Sequence, residues 1–73
     1  MTNTTIFVVT ERNLMDNVTT VSAFITIDKA QEYVGRIIEE YDIDNEDIIN
    51  DGLNWYDDGL EYFDILITAA TLS

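Results

Sequence analysis

Fifteen Asp and Glu residues face only three cationic side chains, Arg12, Lys29 and Arg36, in a chain of 73 residues with a formal net charge of −12. Their placement is uneven. Residues 1–36 hold Glu11, Asp16, Asp28 and Glu32 together with all three bases. Residues 37–73 hold Glu39, Glu40, Asp42, Asp44, Glu46, Asp47, Asp51, Asp57, Asp58, Glu61 and Asp64 and no base. Carboxylates in such density could do three things. They could ligate a hard cation, work as an acid–base pair, or pair with the Lys and Arg of another macromolecule.

The first two chemistries find little support. Asp42-Ile43-Asp44-Asn45-Glu46-Asp47 opens like a helix–loop–helix calcium loop. The pattern then fails, because Asp47 stands where glycine is needed and Leu53 where a bidentate glutamate is needed. The chain has no His and no Cys, so imidazole and thiolate ligands and the usual nucleophile–base pairs are missing. No dedicated metal site and no cofactor are expected. Gly35, Gly52 and Gly59 lie too far apart to cradle a phosphate. Two carboxylates can cleave a glycosidic bond, but among fifteen acids a pair carries no information. A small domain also leaves little room for a pocket of ~300 Å³. The expectation is a protein that is not an enzyme.

The third chemistry fits the spacing. Carboxylates at i and i+2 on a strand stand about 6.5–7 Å apart. Those one helical turn apart stand about 5–6 Å apart. Duplex DNA carries about one charge per 1.7 Å of its axis. A scaffold that fixes carboxylates at such intervals can occupy Lys and Arg that otherwise hold phosphates. Three bases cannot neutralise a phosphate track, so direct nucleic-acid binding is not expected. No basic amphipathic face exists for a membrane surface, and no apolar run approaches the ~18 residues of a spanning helix. Met1 to Thr5 lack the basic region of a signal peptide, so a cytoplasmic location is expected.

One domain over 1–73 must position these groups. A hydrophobic fraction of 47% with eight aromatics argues against disorder. A domain of this size is marginal alone. With no disulfide or thiolate metal site to help, a homodimer is an open expectation. Thr5 to Thr10 is β-branched and aromatic and reads as a strand. Val18 to Ile27 reads as a second, with Val21, Ala23, Ile25 and Ile27 on one face. Asp28 should cap a helix, with Gln31 in the capping-box position. Ala30, Tyr33, Val34, Ile37, Ile38 and Tyr41 form an apolar stripe of period 3.6, opposite Lys29, Glu32, Arg36, Glu39 and Glu40. Asp42 to Asp51 reads either as a short helix capped by Asp44 and ended by Gly52 or as an acidic loop. Leu53 to Asp57 and Leu60 to Thr68 flank Asp58-Gly59, a hairpin signal that sets Trp55 opposite Tyr62 and Tyr56 opposite Glu61. Phe63, Ile65 and Ile67 should face the core. The expected architecture is α+β, in the order β-β-α-β-β, with an antiparallel sheet against one main helix.

Trp55, Tyr56, Tyr62 and Phe63 fall inside the anionic segment. Aromatic anchors ringed by charge resemble a protein interface. In its size, its charge, its missing Cys and His, and the acidic half from Glu39 to Asp64, the chain resembles the small, phage-encoded DNA-mimic proteins that inhibit host DNA-binding proteins. These include uracil-DNA glycosylase inhibitors, several anti-CRISPR proteins and inhibitors of the nucleoid protein HU. The resemblance implies a basic DNA-binding protein as partner: a nucleoid protein such as HU first, then a nuclease or CRISPR effector. The contact residues would be Glu39, Glu40, Asp42, Asp44, Glu46, Asp47, Asp57, Asp58, Glu61 and Asp64, with Trp55 and Tyr62 adding apolar contact. The alternative is an interaction module or dimeric adaptor whose acidity only keeps it soluble.

Overall fold

The covalent order of apolar residues builds a sheet from both halves of the chain. The computed structural model describes residues 4–72; Ser73 and the Met1–Asn3 part of the segment tested for a signal lie outside them. Strands β1 (Thr4–Asn13), β2 (Val18–Phe24), β3 (Ile48–Asp51), β4 (Asn54–Asp57) and β5 (Phe63–Leu72) form one antiparallel sheet in the order β2-β1-β5-β4-β3. Helix α1 (Ile27–Tyr41) follows β2, and a 3₁₀ turn (Asn45–Asp47) precedes β3. The expected order therefore gains a strand: the ambiguous acidic segment holds a single 3₁₀ turn that begins after Asp44, without a side-chain cap, and then β3 in place of a helix continuing to Asn50.

Ala30, Val34 and Ile37 of the helical stripe are buried in one cluster with Val9, Phe63, Ile65 and Ile67 of the sheet. Tyr33, Ile38 and Tyr41 pack at its margin. The Tyr41 ring stacks on Phe63 at 4.9 Å between centroids, and Tyr33 lies 5.1 Å from Phe24. The helix covers one face of the sheet. Val21 and Leu66 on the other face stay exposed.

Two local expectations are corrected. The strand read over Val18 to Ile27 ends at Phe24, and Thr26, not Asp28, caps the helix: its Oγ1 accepts the Lys29 N–H at 3.2 Å. Asp28 sits in the first turn, where its charge suits the helix dipole. Pairing with β1 also decides which face of β2 meets the helix. Ser22 and Phe24 turn toward the helix, and the Ser22 hydroxyl donates to the Tyr33 hydroxyl at 3.2 Å. Val21 and Ala23 point away and are exposed. The reason is register: Phe24 pairs with Phe7 and Ser22 with Val9, which fixes the parity of the strand, and a period of two sends every alternate side chain to the opposite face.

The turns carry their own chemistry. Asn13 Oδ1 accepts the N–H groups of Met15 and Asp16, both at 3.1 Å, and so closes the β1–β2 connection. Asp51 pairs with Asn54, so Gly52-Leu53 is a two-residue hairpin loop, and Gly52 takes the positive φ of 64° that this turn needs. The tight turn expected at Asp58-Gly59 is instead a wider loop, Asp58 to Tyr62. Trp55 pairs with Ile65 and Tyr56 with Asp64, which replaces the expected Trp55–Tyr62 register.

Candidate functional site

The wide β4–β5 loop is built around a carboxylate. Asp57 is 1% exposed. Its two oxygens accept the N–H groups of Glu61 (2.9 Å), Tyr62 (2.8 Å) and Phe63 (2.9 Å). Burial alone would push the Asp57 carboxyl up. The three N–H groups outweigh it and hold the group below the usual carboxylate range. Asp57 is thus a structural hub and not a contact group, a correction to its expected place in the array. It holds Asp58, Glu61 and Tyr62 in a fixed loop whose backbone is tied back by Asp58 N–H to the Asp47 carbonyl at 2.7 Å.

That bond joins the two acidic connections. α1 ends at Asp42, whose left-handed backbone (φ 52°, ψ 45°) turns the chain sharply after Glu39, Glu40 and Tyr41. Asp44, Glu46 and Asp47 then follow in and beside the 3₁₀ turn. Tyr41, Asp42, Ile43, Asp44, Asp47 and Tyr62 together line an open depression of about 320 Å³. Tyr62 is 40% exposed there, beside three carboxylates. On the other flank of Tyr41, a second depression is lined by Glu11, Asn13, Met15 and Glu40.

Eight of the ten expected contact acids are exposed: Glu39, Glu40, Asp42, Asp44, Glu46, Asp47, Asp58 and Glu61. They lie where α1 ends, in the 3₁₀ segment and in the β4–β5 loop, toward one end of the long strands β1 and β5. The remaining two are not free. Asp57 is buried, and Asp64 sits on the opposite sheet face, paired with Arg12 and accepting the Asn54 Nδ2–H at 2.8 Å. Burial would raise the Asp64 carboxyl, and these partners hold it down. Trp55 is also corrected. It is half-buried, packed against the core beside Ile65, and the structure does not bring it to Tyr62.

Three acids escaped the expected contact set. Asp51 is exposed on β3, at the β3–β4 turn. Glu11 and Asp16, from the nearly neutral half, join the acidic end because β1 runs down to the start of β5. Asn13 pairs with Phe63, and the Leu14 N–H donates to the Tyr62 carbonyl at 2.9 Å. Glu11 accepts the Tyr41 hydroxyl at 2.7 Å. Burial, then that bond and the surrounding acids, hold the Tyr41 phenol well above its ordinary range. Only the antiparallel pairing of distant strands could have revealed this convergence.

Of the bases, Arg12 is taken by Asp64, and Arg36 by Glu32 at 2.6 Å on the helix surface. Neither lines the acidic depression. Among the described residues no group of His, Cys, Asp or Glu is placed to hold a metal ion, and no helix is long and apolar enough to cross a membrane. Comparison with known proteins finds no matching family model, no matching curated protein and no matching solved structure.

Proposed function

We propose that the chain is a DNA mimic: a non-catalytic inhibitor that occupies the basic, nucleic-acid-binding surface of a host DNA-binding protein. The observation that carries this reading is the joined acidic surface of Glu39, Glu40, Asp42, Asp44, Glu46, Asp47, Asp58 and Glu61, all exposed, with no base among them. Glu11 and Asp16 extend it. A lattice of carboxylates held by the Asp57 hub costs no reorganisation when it meets Lys and Arg, and its field speeds encounter with a basic partner. Tyr62, half-exposed beside Asp42, Asp44 and Asp47, supplies the apolar contact once expected of both Trp55 and Tyr62.

The partner is a basic protein with a saddle or arms shaped for duplex DNA. A nucleoid protein of the HU type suits best, and a nuclease or CRISPR effector follows. Such a role belongs in a bacterial cytoplasm and suits a phage-encoded protein. The competing reading is an interaction module whose acidity serves only solubility. Exposed Val21 and Leu66 favour it, since they lie away from the acidic end.

A single experiment separates the two. An HU-type protein carrying fluorescent duplex DNA is titrated with this chain and with the variant Glu46→Lys, Asp47→Lys, Asp58→Lys, Glu61→Lys. Mimicry requires displacement by the wild type and none by the variant. Equal displacement by both would remove the charge-mimic reading, while loss on Val21→Asp alone would favour the module.

A further inference from the structure

One edge of the sheet lacks the protection that edges usually have. Strand β2 bonds to β1 on one side and, among the described residues, has no strand on the other. Proteins blunt such edges with charges, proline, bulges or very short strands. The opposite edge, β3, follows this practice: it runs only from Ile48 to Asp51, between Asp47 and Asp51. β2 does the reverse. From Val18 to Phe24 the strand VTTVSAF carries no charge and no proline, in a chain of net charge −12. Val18 and Val21 along it are 53% and 63% exposed.

We propose that β2 is a self-association edge, which pairs antiparallel with β2 of a second copy of this chain. Charge selects the occupant. A basic partner is drawn to the acidic end, whereas a second copy, equally anionic, can approach closely only where the chain carries no charge. Strands β1 and β5 add to this neutral zone, because Thr4 to Thr10 and Ile65 to Leu72 are also uncharged. Antiparallel edge pairing is isologous, so one uncharged strand is complementary to itself. Full overlap of the two strands centres on Val21: Val18 then faces Phe24 of the other copy, Thr20 faces Ser22, and Val21 faces Val21. Two five-stranded sheets become one, with both helices on the same face.

The flanks agree with this register. Pairing lays the Asn13–Asn17 turn of one copy beside the helix start of the other. Asp16 then approaches the α1 N-terminus and Lys29, both favourable to a carboxylate. The ladder is about 23 Å long at ~3.3 Å per residue. With only seven residues a side the contact is small, and the dimer is a reversible one. It points the two acidic ends away from each other.

This inference does not depend on mimicry, and salt tells the two apart. Screening weakens binding to a basic partner but strengthens association of two anions. Sedimentation equilibrium at ~10–200 µM, in low and in 0.5 M salt, should show a monomer–dimer equilibrium that tightens with salt. Val21→Asp, at an exposed position on the symmetry axis, should raise the dimer dissociation constant about tenfold or more. Leu66→Asp, on the same outer face but away from the edge, should not. Val21→Cys, the sole cysteine, should give a disulfide-linked dimer under mild oxidation, while Leu66→Cys stays monomeric. A chain that is monomeric throughout the range, or a dimer broken by Leu66→Asp and not by Val21→Asp, would overturn the proposal.

Discussion

The acidic end and the uncharged half-sheet solve opposite problems within one small domain. At the acidic end, groups that repel are locked in place. One buried carboxylate takes three backbone N–H groups, and the Asp58–Asp47 backbone bond ties two acidic connections together. In the half-sheet of β2, the first part of β1 and the second part of β5, nothing repels, and Val21, Ala23, Leu66 and Thr68 on its outer face are exposed. The difference teaches that a net charge of −12 is not a uniform coating. It is a segregated property, concentrated where rigid connections can hold it and excluded from the strands that a second copy could meet.

That comparison can be broken most forcefully at the charged end. Reversing Glu46, Asp47, Asp58 and Glu61 to Lys should lower affinity for a basic DNA-binding protein by about a hundredfold or more, since each exposed pair contributes up to ~1 kcal/mol. The same variant should still self-associate through β2, and sedimentation will show whether it does. Conversely, Val21→Asp should leave DNA displacement unchanged.

The hub comes next. Asp57→Ala should destabilise the fold by about 2–4 kcal/mol in urea unfolding, because backbone N–H groups at and beside the buried site lose their acceptor. Its pH dependence has a definite sign. The Asp57 and Asp64 carboxyls are held lower in the fold than in the unfolded chain, so the stability they contribute is present above about pH 4 and is lost as pH falls through their folded values. Asp57→Asn should flatten the acid limb of the stability profile. Tyr41 works at the other extreme. Its phenol is raised in the fold, so its contribution is complete below about pH 10 and is lost as pH rises beyond that. Tyr41→Phe should cost about 1 kcal/mol at neutral pH through the lost bond to Glu11, and should shift the onset of alkaline unfolding upward. The smallest effect is the salt response of stability: moderate salt should raise the urea midpoint slightly, and less so in the four-Lys variant, whose repulsion is already relieved.

Much of the fold was legible because it is periodic. The stripe from Ala30 to Tyr41 and the alternation of Phe63, Ile65 and Ile67 name the buried faces without help from the rest of the chain. What was not legible depends on partners distant in sequence. The parity of β2 follows from its register on β1 and from the side on which the helix lies, and Val21 and Phe24 look equally fit for a core. β3 holds only Ile48 and Ile49 among polar residues, too little pattern to declare a strand. Asp58-Gly59 carried the signature of a tight turn, but Asp57 captured the following N–H groups and widened it. The acidic array was visible as composition. The inward turn of Asp57, the pairing of Asp64, and the arrival of Glu11 and Asp16 were not, since each is fixed by a strand neighbour rather than by local sequence.

The most direct test of the account is displacement of labelled duplex from an HU-type protein, followed as salt rises from 50 to 500 mM. The account expects this chain to compete with DNA at low salt, to lose affinity steeply as salt increases, and to lose the activity outright when four acids become lysines. Competition that persists unchanged at high salt, or none at 50 mM, would contradict it.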